Sequence, residues 1–265
     1  MSSIFASWVA ILLFLLLPMF SLAQTSGKII YKAILEGQDF KELEGILLFE
    51  DQESYFFVDM QSQYESKKKQ EKLDLESKNK INFYFDFGLN RPTSYEVYIN
   101  RAEGNILNQR SFFKDSSTKP CVVSEKTGLI EWIYKDETKK IGSFLAYKAT
   151  TNFRGRNYNA WFTPEIPLPI GPWKFHGLPG IILEIQDEEL GVQFLFSSIQ
   201  IPFETKDEIK PPSDGDVITL REFITYRENF NNEFIRLVKA KLPRDVSITS
   251  MSINEKDRSI EREYE

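Results

Sequence analysis

The chain has 265 residues, a formal net charge of −6, one histidine and one cysteine. The acidic balance gives no electrostatic footing for nucleic acid, and a lone cysteine forbids an intramolecular disulfide. One His with one Cys is too few for an ordinary zinc site, while 22 Phe and 11 Tyr favour sheets over helices.

Met1 to Ala23 carries no charged side chain. Its apolar run, Trp8 to Pro18, suits a signal-peptide core and is short for a membrane span. Ser21-Leu22-Ala23 puts small residues at the cleavage point, so a signal peptide over 1–23 is predicted; an uncleaved N-terminal anchor is the other reading. Residues 24–265 are predicted to form a single β-rich domain, exported to the periplasm or secreted. That length buries a sizeable core without staples.

From Lys28 the chain reads as a succession of short strands. Lys28 to Leu35 comes first, then Gly45 to Phe49 and Ser54 to Val58, joined by a four-residue acidic turn at Glu50 to Glu53. Ser66 to Lys80 is polar with mixed charge and reads as a solvated loop or frayed helix. Ile81, Phe83, Phe85 and Phe87 share one face of a further strand by the two-residue period. Strands are also expected at Ser94 to Ile99, Gln109 to Phe113 and Gly128 to Tyr134. Ser143 to Phe153 and Arg156 to Phe162 make the clearest hairpin, turning at Gly155. In the first of these, Leu145, Tyr147, Ala149, Thr151 and Phe153 are expected on one face.

Four prolines between Pro164 and Pro172 exclude helix and central strand, so that stretch must run as a stiff loop. It leads into a predicted short aromatic strand, Gly171 to His176. A Pro179-Gly180 turn of type II follows, in which Gly180 supplies a positive φ and a bulky replacement is strained. Ile181 to Asp187 and Val192 to Ile201 form the next hairpin, through Glu188 to Gly191. Lys206 to Asp216 reads as linker. The one confident helix is Leu220 to Leu242: Thr219 and Glu222 have capping-box spacing, and Phe223, Phe230, Phe234, Leu237 and Val238 share a face. The charged tail, Asn254 to Glu265, is expected to fray. The predicted class is mainly β (α+β), a curved antiparallel sheet or open barrel covered by a C-terminal helix.

Ala160-Trp161-Phe162-Thr163-Pro164-Glu165-Ile166-Pro167, Gly171-Pro172-Trp173-Lys174-Phe175 and Gly177-Leu178-Pro179-Gly180-Ile181-Ile182 together resemble the signature of the GLPGLI family. Ile181 stands where that name has Leu. Lys148 to Thr151, Phe153-Arg154-Gly155-Arg156, and the Tyr31 and Ser54-Tyr55-Phe56 strands are similar to the family pattern too. A cysteine found in many relatives near Ala146 is absent here. The resemblance implies an exported β-rich protein of no established activity, in a family found alongside outer-membrane uptake systems.

The chemistry on offer is thin. No nucleophile elbow, Walker loop or Gly-x-Gly-x-x-Gly occurs, so no catalytic residue, cofactor or metal ligand is assigned. His176, beside a turn, reads as structural, and Cys121 as a buried inert thiol. Asp187-Glu188-Glu189 offers carboxylates but locates neither a hydrolase dyad nor a calcium site. The better candidate is a ligand-binding surface: Trp161, Trp173 and Phe175 bracket the proline loop, with Arg154, Arg156 and His176 to orient a ligand; the competing reading puts both tryptophans in the core. The functional expectation is a non-catalytic envelope binding or carrier module for an apolar ligand or partner segment. The alternatives are an assembly partner of an outer-membrane uptake complex and a carboxylate-dependent hydrolase.

Overall fold

The computed structural model describes residues 26–35, 42–59, 94–114, 117–128, 130–203, 209–241 and 260–261. The signal segment, the polar stretch 66–80 and the strand expected at 81–87 lie outside the described residues. Among the described residues twelve strands form one sheet, followed by one helix. They are β1 (Ser26–Leu35), β2 (Leu43–Glu50), β3 (Glu53–Asp59), β4 (Ser94–Asn100), β5 (Asn105–Lys114), β6 (Ser117–Lys126), β7 (Ile133–Ile141), β8 (Phe144–Phe153), β9 (Arg156–Thr163), β10 (Ile181–Asp187), β11 (Val192–Gln200) and β12 (Asp216–Thr219). Helix α1 is Leu220–Lys241.

The spatial order is β12-β6-β5-β4-β3-β2-β1-β11-β10-β9-β8-β7, an open sheet with β12 and β7 at its edges. Every ladder is antiparallel except β12 with β6. The mainly β, open-sheet architecture with a C-terminal helix is therefore as the alternation predicts. In β1, β2 and β3 strictly alternate residues are buried, so one face carries the core. Tyr31, Phe56 and Phe194 meet there edge to face, the Phe56 and Phe194 centroids 5.4 Å apart.

Several local expectations are corrected. Glu50 pairs with Glu53, so the β2–β3 turn has two residues, not four, with Asp51 at φ 48°. Gly128 and Ile130 are not strand: β6 ends earlier, at Lys126, and β7 starts later, at Ile133. The β6 pattern was obscured by Pro120, which is tolerated opposite Ser111. Leu145 and Tyr147 are exposed while Ala146, Ala149 and Thr151 are buried, so the burial period slips within β8.

The predicted Gly171–His176 strand is instead a folded loop. Its strand-like pairing is a single bridge between Ile170 and His176, because Pro172 has no N–H to donate and Trp173 adopts φ 54°. The loop does the work of a missing strand at the start of β10. Within β10 only Glu184 to Gln186 pair with β11; before that, Ile181 and Ile182 donate their N–H groups to the carbonyls of Ile166 and Ile170. Gly180 is not among the positive-φ glycines. A Cβ there would lie 2.0 Å from the Thr163 carbonyl oxygen, so side-chain room, not φ, demands glycine.

Helix α1 begins as the capping box predicts: Thr219 N–H donates to Glu222 Oε2 and Glu222 N–H to Thr219 Oγ1. It packs on β5, β6 and β12 through Phe223, which with Cys121 and Val123 forms a satellite core separate from the main one. The tail expectation is corrected for two residues, since Ile260 and Glu261 are buried.

Candidate functional site

The β8–β9 turn, the proline loop and the described tail residues converge on a buried ionic cluster. Arg154 and Gly155 form a two-residue turn with φ of 52° and 73°, matching the primed turns whose twist suits a hairpin. Asn or Gly usually fills its first position; here Arg154 does, and its guanidinium turns inward. Arg154 Nη2 donates to Glu125 Oε2 at 2.5 Å, and Lys174 Nζ donates to Glu125 Oε1. Lys174 Nζ also reaches Glu261 Oε1 at 2.5 Å. Arg154 Nε stands 3.8 Å from Glu261 Oε1, and Arg110 Nη1 3.6 Å from Glu261 Oε2.

Lys174 and Glu261 are both almost completely buried. Burial alone would raise the Glu261 carboxyl's pKa; Lys174, Arg110 and Arg154 outweigh it and hold the group at about 2. A second buried pair lies close by in sequence. Arg156 Nη1 donates to Asp187 Oδ2 at 2.5 Å, and Asp187 Oδ1 accepts the Val192 N–H.

The six residues singled out from the sequence are thus divided. Trp173 and Phe175 are 1% and 0% exposed and belong to the core. Their rings pack with Phe153 and Tyr158, the Tyr158 and Phe175 centroids 4.7 Å apart. In this conformation they present no face to a ligand. Arg154 and Arg156 spend their charges on internal carboxylates. The His176 ring is held between the carbonyls of Lys174 and Gly128, at 2.8 and 3.2 Å, and its own carbonyl accepts from Trp132 Nε1. Trp161 is half-buried, with the Lys139 and Lys148 ammonium groups 4.5 and 5.8 Å from its ring centroid. Lys174, Glu125, Arg110 and Glu261 were missed. Lys174 lies between two core aromatics, which is the one sequence signal that could have found it.

Cys121 is a free, buried thiol, and burial pushes its pKa up to about 11, which suits an inert role. Among the described residues, no group of three or more His, Cys, Asp or Glu is placed to hold a metal ion. No described helix is long and apolar enough to cross a membrane.

A different surface lies at the outer hairpin. Ile133 and Tyr134 on β7 are each 60% exposed, and Leu145 and Tyr147 on β8 are also exposed. Tyr134 and Tyr147 flank Phe162, each with its centroid 6.1 Å from that ring. They form an aromatic patch beside β7, an edge strand that has a neighbour on one side only among the described residues.

The described residues define an open β-sheet with buried ion pairs, and the matching family carries no stated function. Residues 154–184 match the family described as "Protein of unknown function (Porph_ging)". This is the GLPGLI family, and the resemblance read from the turn signature holds over that stretch. It runs from Arg154, through Lys174, to Glu184. No curated protein matches the chain. Two solved structures described as PNGF-II, in P21 and C2 space groups, are similar at 17% and 18% identity, with TM-scores of 0.47 and 0.45. Each match covers 78% of this chain but 33% and 32% of the other, so the chain spans about a third of their length.

Proposed function

We propose that this chain is a non-catalytic envelope module, exported by its Met1–Ala23 segment, with one β-rich domain over residues 24–265. Its role is to bind an extended segment of an envelope protein at the β7–β8 end of the sheet. The observation carrying this reading is the gathering of exposed Ile133, Tyr134, Leu145 and Tyr147 on the outermost hairpin. Exposed apolar surface next to a sheet edge suits a partner that adds a strand and seats alternate side chains. The charged centre of β7, Lys135 to Lys140, discourages indiscriminate edge pairing.

A carrier role for a small apolar ligand is the weaker form of this reading. Ile170, Trp173, Phe175 and Leu178 from the proline loop are already buried in the main core. A hydrolase finds less support still. The buried carboxylates Glu125, Asp187 and Glu261 are engaged by cations, and Glu261 shifts away from the raised pKa a general acid needs. The test is affinity capture from envelope extracts with Tyr134→Ser/Tyr147→Ser beside the wild type. A partner retained by the wild type and lost from the variant, with the melting temperature unchanged, supports the reading. Equal capture, or no specific capture by either, refutes it.

A further inference from the structure

β1 stands in the middle of the described sheet and joins its two halves. On one side Ser26 to Ala33 pair with β2, and on the other Lys28 to Leu35 pair with β11. Ile29, Tyr31, Ala33 and Leu35 belong to the main core, and the Tyr31 hydroxyl donates to the Ile182 carbonyl at 2.7 Å. That bond ties β1 to the strand that follows the Pro179-Gly180 turn. Peeling β1 away from its start would therefore divide the sheet at its centre.

The start of this strand lies close to the end that export creates. Cleavage after Ala23, on which this inference rests, leaves Gln24 as the first residue. Only Thr25 then separates it from Ser26, where the β1–β2 ladder begins. By chain length alone Gln24 lies within about 7 Å of that residue. Chain ends are among the places where proteolysis concentrates, and here trimming leads straight into the central strand.

An N-terminal Gln has a reaction open to it that other amide side chains lack. Its α-amine has an ordinary pKa of about 8, so a useful share is the neutral nucleophile near neutral pH. The side chain is the right length for that nitrogen to reach its own Cδ and close a five-membered lactam, whereas Asn would have to close a strained smaller ring. The bond from the α-nitrogen to Cδ forms and the bond from Cδ to Nε2 breaks. One amine proton leaves with Nε2 as ammonia, and no oxidant, reductant or co-substrate is consumed.

We propose that Gln24 is a modification site, converted to pyroglutamate after export, and that the neutral lactam caps the chain ahead of its central strand. Aminopeptidases bind a free α-amine, and the cap removes both that group and its charge. The modification thus shields the strand on which both halves of the described sheet depend.

The test is intact mass spectrometry of the full chain, made with its own leader and purified from the envelope of the cells that produce it. The expected mass is that of residues 24–265 less one ammonia, a shift of about 17 Da. The end should also resist an aminopeptidase until a pyroglutamyl peptidase has removed residue 24. A Gln24→Ala variant keeps a small residue after the cleavage point, and the same aminopeptidase should trim it directly. The unshifted mass of residues 24–265 overturns the cap and leaves the export reading standing. The mass of residues 1–265, or of a chain starting elsewhere, overturns the export reading and the cap together. Equal resistance of wild type and variant to the aminopeptidase overturns the protective role.

Discussion

Two buried ionic sites stand two residues apart in the sequence and are built on opposite principles. Arg156 meets Asp187, and the carboxylate's second oxygen takes a backbone N–H from Val192. Partners sit on adjacent strands, so folding the β9–β10 ladder is enough to assemble the pair. Arg154 instead joins a cluster drawn from β5, β6, a turn, a loop and the tail, in which Glu261 meets Lys174, Arg154 and Arg110. The difference shows how neighbouring arginines can serve unlike ends. A pair between adjacent strands fastens a ladder, whereas a cluster drawn from several elements ties remote segments together.

Breaking the Arg156–Asp187 pair should have the larger effect. Asp187→Ala removes the acceptor for both the Arg156 guanidinium and the Val192 N–H, and should cost about 3–5 kcal/mol in urea unfolding. Glu261→Gln attacks the cluster and should cost about 3 kcal/mol near neutral pH. That loss has a pH signature. The folded carboxyl is held at about 2, against 4.5 as its ordinary value. Its contribution is therefore present in full above about 4.5 and fades as pH falls toward 2. Wild type and variant should converge in acid; a gap that stays constant from pH 7 to 2.5 would count against the ionic account. The smallest effect is expected from Arg156→Met/Asp187→Leu. Replacing both members of a buried pair with apolar groups is often neutral or stabilising, so its unfolding midpoint should stay close to wild type.

Much of the architecture was legible because one buried face imposes a period of two. β1, β3, β9 and β10 lie within about two residues of their predicted bounds, and α1 starts at its capping box. The errors have local causes. Pro120 hid β6, and the aromatic run Trp173 to Phe175 imitated a strand although its prolines deny it a ladder. Gly180 was rightly marked as irreplaceable for the wrong reason, since its need arises from the Thr163 carbonyl 2.0 Å from any Cβ. The candidate site was legible only in part. The turn arginines were visible as charged neighbours of tryptophans, but not their direction.

By itself the sequence determined the alternating strands, the capped helix, the stiff proline loop and the absence of familiar catalytic motifs, because each follows from contacts between near neighbours. Tertiary structure alone decided that Trp173 and Phe175 are core, that Lys174 is buried between them, and that Glu261 comes back to meet it 87 residues away. Long-range charge pairing leaves no period in the chain. Whether a lysine faces water or a carboxylate is set by which distant segment arrives beside it.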